Sequence, residues 1–345
     1  MTLLYFIIIL GVIIFIHELG HFIFAKKSGI YVYEFSLGMG PVILKKNRKN
    51  DETDYCLRLF PIGGFVQMAG EEIEDDQSVP KNQKFGSKTF GQRFMTVIAG
   101  IMMNFILAIV LLFIVGLVNG SPQNKSIIGD IDPSYPAYTS GLQEGDRILK
   151  INGRNANTND KLVLQLQVFK GEKIALDVDR DGTTKQVTIS PKKVKENGED
   201  TYKYGFKIND EVEHGFFPAL EYAFTKTLSL IHQMIFIVFY LITGQLGLGS
   251  LSGPVGIYNV VGSAADTGLM SLLYLTAYIS INVGFINFLP IPAFDGGRIL
   301  FLIIEKIKGS PVNPKLENTI HSIGLFLLMA LMILITYNDI IRLFK

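Results

Sequence analysis

Residues Thr2 to Phe24 form an almost wholly apolar run, and its second half carries His17-Glu18-Leu19-Gly20-His21. As a helix the run is about 35 Å long, enough to cross the ~30 Å hydrocarbon layer of a bilayer. Titratable groups are costly at that depth, so two imidazoles and a carboxylate there point to function. Their spacing narrows the chemistry. His17 and His21 are i and i+4, hence on one helix face, and Glu18 is the next position round. The pattern is His-Glu-x-x-His, in which two neutral imidazoles take Zn2+ and the glutamate serves as general base. In a soluble helix such a string is often accidental, but inside a span no solvent makes these residues cheap. A cleaved signal peptide would need a basic first region and a small-residue cleavage site, and the run has neither.

Composition bounds the rest. The chain has 345 residues, 48% hydrophobic and 18% charged. That is too apolar for an ordinary soluble protein and too charged to be all membrane, so a few spans plus an aqueous domain fit. A net charge of +1, with no aromatic-basic surface motif, gives no case for nucleic acid as a partner. The single Cys56 excludes an internal disulfide framework and a thiolate-rich metal site, and reads as a half-buried strand residue.

Residues 1–24 are thus a first span bearing the zinc motif, and 25–93 have strand character. Pro41 to Lys46 and Tyr55 to Phe60 flank a polar turn, Asn47 to Glu52, which predicts a hairpin. Pro61-Ile62-Gly63-Gly64-Phe65-Val66 then gives a turn and another short strand. Such a hairpin either sits on the surface or dips into the bilayer, and its edge is suited to receive an extended peptide. Residues 94–118 are a second span, with Gly100 and Asn104 one turn apart. A lone Asn in a span reads as helix-packing glue. Residues 119–208 alternate short strands and turn signals, with a helix from Asp160 to Phe169. Within them Gly141-Leu142-Gln143-Glu144-Gly145-Asp146-Arg147-Ile148 resembles the signature of PDZ domains, which grip peptide ends by strand addition.

Residues 209–268 comprise an interrupted apolar stretch, Phe216 to Thr243, and a glycine-rich loop containing Ser252-Gly253-Pro254-Val255-Gly256-Ile257. The stretch either spans or lies along the interface, and the topology favours the interface. A third span, 269–297, ends in Asn287-Phe288-Leu289-Pro290-Ile291-Pro292-Ala293-Phe294-Asp295-Gly296-Gly297, where prolines break the helix and a flexible glycine pair follows a carboxylate. A loop, 298–318, and a fourth span, 319–341, complete the chain.

Eleven Lys/Arg residues lie between the first two spans, and Arg298, Lys306, Lys308 and Lys315 between the last two. The positive-inside rule makes both loops cytoplasmic and places the 119–268 region and both termini outside. His17, His21 and Asp295 then meet near the cytoplasmic side. Catalytic zinc takes three protein ligands, so Asp295 is the preferred third and His321 its rival. Glu305 and Glu317 read as solvated loop charges. Two other function classes share these residues: an ion or proton transporter, for which no inverted repeat is visible, and a non-enzymatic PDZ receptor with a structural metal.

Taken together, the chain resembles the site-2 protease family of intramembrane zinc metalloproteases, in its bacterial RseP/RasP-type branch with one PDZ domain. The resemblance rests on His17-Glu18-Leu19-Gly20-His21, the Pro61–Val66 stretch, the PDZ signature, Ser252–Ile257 and Asn287–Gly297. Phe294 stands where the family has Leu, and Ile101 where it often has Pro. The resemblance implies a polytopic α-helical membrane protein with four transmembrane helices, a membrane-associated β-hairpin region and one extracytoplasmic PDZ domain. It implies that His17, His21 and Asp295 bind Zn2+, that Glu18 is the general base and that Asn287 helps hold substrate. Gly63, Gly64, Phe65 and Val66 would belong to a membrane-dipping β element that pairs with the substrate strand. The implied substrates are single-span membrane proteins such as anti-sigma factors, remnant signal peptides and pheromone precursors. These would be cleaved in the bacterial cytoplasmic membrane, with the PDZ domain holding peptide ends and admitting trimmed ectodomains.

Overall fold

The computed structural model describes residues 1–49, 51–71, 77–196, 199–209, 211–247 and 252–343. In chain order the elements are α1 (Thr2–Lys27), β1 (Val32–Asn47), β2 (Asp54–Met68), α2 (Phe90–Asn119), β3 (Ser121–Pro122), β4 (Ile128–Ile131), α3 (Pro136–Thr139), β5 (Arg147–Ile151), β6 (Arg154–Asn155), α4 (Asn159–Val168), β7 (Ile174–Arg180) and β8 (Thr183–Ile189). There follow β9 (Lys192–Glu196), β10 (Glu199–Lys203), β11 (Phe206–Ile208), β12 (Val212–Glu213), α5 (Phe216–Ile242), α6 (Pro254–Thr267), α7 (Leu269–Phe288), α8 (Asp295–Lys308) and α9 (Pro314–Leu343). Among the described residues five helices are long and apolar enough to cross a membrane: α1, α2, α5, α7 and Lys315–Ile341 of α9. The protein is an integral membrane protein with added β structure. The sequence counts four spans; α5, with 27 residues, is the helix it lays along the interface.

The chain forms two compact units, residues 1–111 with 248–345, and residues 112–247. In the first, Ile9 and Ile13 of α1 pack with Val261 of α6 and Leu272, Leu275 and Ile279 of α7. Apolar side chains gain little by leaving lipid, so close approach depends on small residues and polar contacts. Gly284 of α7 lies against Ile101, Asn104 and Phe105 of α2. One turn earlier, Ser280 donates to the Asn104 carbonyl (2.8 Å).

β1 and β2 form the predicted hairpin, but both strands bend. Phe35 lies opposite Val66 on one side and Tyr55 on the other, and Leu37 opposite Gly64 and Leu57. Residues 32–37 are therefore an inner strand, and 64–68 run along its outside. The sequence expects a turn at Pro61–Gly64 and a separate strand; instead β2 continues through it, pivoting at Gly63 with φ +83°, a conformation that favours glycine. Ala25, Ile30, Val32, Phe35, Val66 and Met68 close the root of this sheet against α1. Met39, Ile43, Leu44, Leu59 and Phe60 are exposed towards its far end. Cys56 is buried in β2.

A second difference concerns residues 244–262, read from sequence as a loop. Residues 248–251 lie outside the described residues, but Ser252-Gly253-Pro254 opens α6. Proline is tolerated in the first turn, where its missing N–H costs nothing. The Gly256 N–H is accepted by Asp339 of α9 (2.9 Å), so the cap comes from 83 residues away and leaves no local signal.

The second unit contains a four-stranded sheet of order β6-β5-β7-β8, with β4 paired to β11 and β9 to β10. Its core joins Ile128, Ile148, Ile151, Leu162, Ile174, Leu176 and Val178. The alternation of short strands and turns expected across 119–208 is present, and α4 covers the expected helix to within a residue at each end. The polar hairpin of β9 and β10 has no apolar alternation and so leaves no strand signal in the sequence. α5 packs along α4 through a Lys226–Asp160 ion pair (2.6 Å) and a Gln165–Tyr240 hydrogen bond (3.0 Å).

Candidate active site

The helical repeat of α1 places His17 and His21 on one buried face, 9% and 7% exposed. Asp295 reaches them from a chain forced out of helix. α7 ends at Phe288, Leu289 turns extended, and Pro290 and Pro292 forbid continuation. Ala293 then takes φ +83°, and Asp295 opens α8. The glycine pair behind it is not a flexible hinge. Both residues are buried in the first turn of α8, where a Cβ on Gly296 would strike the Leu289 carbonyl and one on Gly297 the Ile291 carbonyl. Only hydrogen lets α8 begin so close to the end of α7.

Asp295 Oδ2 lies 3.1 Å from His17 Nε2 and 3.3 Å from His21 Nε2, and the two Nε2 atoms are 3.2 Å apart. Tetrahedral zinc with bonds of about 2.0–2.1 Å keeps its ligand atoms about 3.3–3.4 Å from one another. The three atoms thus form one face of a tetrahedron of the right size. Asp295 Oδ2 is buried with no hydrogen-bond partner, as a metal ligand would be. Two imidazoles and a carboxylate, with one corner left open, would suit a catalytic zinc. His321, the rival, is elsewhere: its Nδ1 accepts from the Ala293 N–H (3.0 Å), propping the strained turn before Asp295.

The far nitrogens of the two rings are held by α2. His21 Nδ1 donates to the Thr96 carbonyl (2.9 Å), and His17 Nδ1 lies 3.2 Å from the Asn104 amide. Asn104 has no exposed surface. The helix-packing role expected of it is at most half its task. Thr96, Gly100 and Asn104 stand at four-residue intervals, so one stripe of α2 forms the back wall of the site. Sequence offered the spacing of Gly100 and Asn104 but not their partners.

Glu18, half-buried on the next position of α1, faces the sheet: a Cβ on Gly64 would be 3.0 Å from Glu18 Cγ. The outer strand of the sheet therefore passes directly beside the carboxylate. Phe65 carries the Arg58 guanidinium over its ring at 5.2 Å, and Val66 turns into the core. Asn287 is half-buried in the last turn of α7; among the described residues no hydrogen bond joins it to the triad. Glu305 is not a solvated charge. It takes two hydrogen bonds from Arg93 (3.0 and 2.7 Å), fastening α8 to the start of α2.

Residues 5–331 match the family described as Peptidase family M50. The chain is similar to zinc metalloprotease RasP of Geobacillus kaustophilus, 32% identical over 99% of this chain and 98% of that protein. It is 34% identical to the regulator of sigma-W protease RasP of Bacillus subtilis, over 99% of both chains. The putative zinc metalloprotease SA1105 of Staphylococcus aureus is also 34% identical over 99% of both. Since the family match runs from α1 into α9 and so takes in every element that meets at the triad, the chain belongs to peptidase family M50, the site-2 proteases, and is an intramembrane zinc metalloprotease.

Proposed function

We propose that His17, His21 and Asp295 hold the zinc and that Glu18 is the general base for hydrolysis of a peptide bond at membrane depth. The carrying observation is that the three ligand atoms lie within 4.8 Å of one another with Glu18 on the same helix beside them. A zinc held by His17, His21 and Asp295 would supply a polarised water and positive charge where the scissile carbonyl turns negative. The protein does the rest. Glu18 takes the water's proton and returns it to the leaving amine. A transmembrane helix hides its carbonyls in i to i−4 bonds, so substrate must enter unwound. The outer edge of Gly64–Met68 would replace the lost bonds by pairing with the extended substrate, with main chain at Gly63, Gly64, Phe65 and Val66 as the receiving groups. Asn287 would hold the substrate from the α7 side.

The substrates we infer are single-span membrane proteins, anti-sigma factors first, with remnant signal peptides and pheromone precursors in the same class. The name of the Bacillus subtilis relative, regulator of sigma-W protease, supports the first. Residues 119–208 we read as a PDZ domain outside the cell, taking peptide ends. Four spans with α5 along the interface agree with the Arg93–Glu305 pair. The pair joins α8 to the start of α2, which supports a reading with those ends on one side; a single added span between them would part them. The transporter and receptor readings are not favoured in a family of proteases.

Glu18→Gln tests the proposal. Purified in detergent, it should keep full zinc and lose cleavage of a single-span test protein. Cleavage at the normal rate would remove Glu18 from the chemistry.

A further inference from the structure

Asn104 is wholly buried in α2, its backbone carbonyl is taken by Ser280, and its side-chain oxygen is buried with no partner. Buried amide oxygens are rarely left so, because each forfeits the hydrogen bond it would make in water. The amide nitrogen is the end that lies 3.2 Å from His17 Nδ1. The two ends of an amide exchange by a half-turn of the group.

Ring chemistry decides which end belongs there. A neutral imidazole carries one N–H and one lone pair. His17 Nε2 is the atom facing Asp295 and His21, so metal ligation needs the lone pair on Nε2 and the proton on Nδ1. Nδ1–H needs an acceptor. With the amide nitrogen towards the ring, the proton is forced onto Nε2 and the ring cannot ligate. With the oxygen towards it, Nδ1–H is satisfied and Nε2 is free. His21 has no such choice, since its Nδ1 meets the Thr96 backbone carbonyl, which can only accept.

Resting on the metal set proposed above, we infer that Asn104 is a positioning residue that selects the ligating tautomer of His17 through its amide oxygen. The two ligand imidazoles are then set by one helix in two different ways, one by an acceptor fixed in the backbone and one by a side chain that can turn over. Outer partners of this kind commonly govern metal affinity by 10–100-fold.

Zinc affinity of the full-length protein in detergent, read by competition with a chromophoric chelator, tests this without reference to activity. Asn104→Leu keeps the shape but offers no acceptor, and should weaken zinc by roughly 10–100-fold. Asn104→Asp restores an acceptor at the same place, and should bind zinc at least as tightly as the wild type. A leucine variant with wild-type affinity would overturn the inference, and so would an aspartate variant weakened by tenfold or more. If the leucine variant does not fold, the aspartate variant decides alone. His17→Ala separates the two levels: unchanged zinc there would remove the metal set itself, whereas lost zinc there beside an unaffected leucine variant would remove only the role of Asn104.

Discussion

Gly100 of α2 lies directly under the His21 ring, so that a Cβ built on it would overlap the imidazole Nε2. The ring is held at its other nitrogen by the Thr96 carbonyl, one turn before Gly100 on the same stripe, so moving it aside costs that bond. Gly100→Ala should therefore push the His21 nitrogen off its corner of the triad. Zinc affinity should fall at least tenfold and cleavage with it, measured as zinc bound per chain and turnover of a single-span protein. Full zinc retention in this variant would mean that the ring has another place to go.

Asp295 and His321 are distinguished by what each touches. Asp295→Ala removes a ligand and should abolish zinc retention through a chelator wash. His321→Ala should keep zinc but loosen the turn, because it strips the acceptor from the half-buried Ala293 N–H, a loss on the order of 1 kcal/mol. Faster proteolytic nicking within 289–294 is the expected signature. The reverse pattern, zinc kept by the Asp295 variant and lost by the His321 variant, would exchange their roles.

The parts of this site visible in sequence are those encoded within one helix or one proline-broken turn. His17, Glu18 and His21 obey a four-residue period in a place where polar residues are expensive, and Asp295 follows two prolines at the end of a span. Thr96 could not be found that way, since its contribution is a main-chain carbonyl. Asn104 was visible as a polar residue in a span, but its partner is 87 residues away. Glu305 looked solvated because its partner, Arg93, is 212 residues distant. The same limit explains α6, whose cap is supplied by Asp339, and the bent sheet, where one stretch of strand serves two neighbours.

Asp146 gives the second unit a pH dependence of known sign. Asp146 is almost fully buried, which by itself works against ionisation. The Arg180 guanidinium (2.6 and 2.7 Å) and the Gln143 N–H (2.9 Å) outweigh this and hold its carboxyl below the ordinary carboxylate range. A carboxyl depressed in the folded state adds stability above its unfolded pKa of ~4, and loses it as pH falls through the lower folded value. The second unit should therefore weaken progressively below about pH 4, seen as a falling urea midpoint in the whole protein. Asp146→Asn should be weaker at pH 7 and show a shallower fall across that acid range, the remainder belonging to other depressed carboxyls such as Asp132. An unchanged acid slope in that variant would assign the effect to other carboxylates.

Gly64 ties the sheet to the chemistry, and its replacement separates binding of metal from handling of substrate. A Cβ there would stand 3.0 Å from each of Glu18 Cγ, Ile14 Cγ2 and the Ser36 carbonyl, contacts tighter than packed side chains normally accept. Alanine asks its neighbours to yield by a few tenths of an ångström; valine, branched at that carbon, asks for more than α1 and the inner strand can give. The triad is built from α1 and α8, and none of its ligand atoms is among the atoms nearest this position. Gly64→Val should thus keep zinc while cleavage falls by tenfold or more, with Gly64→Ala between the two. The loss should fall mainly on kcat, because displacing Glu18 removes a proton acceptor needed in the transition state, whereas displacing the strand alone would raise KM. A valine variant that cleaves normally would show that neither the strand nor Glu18 is held as closely as the packing requires.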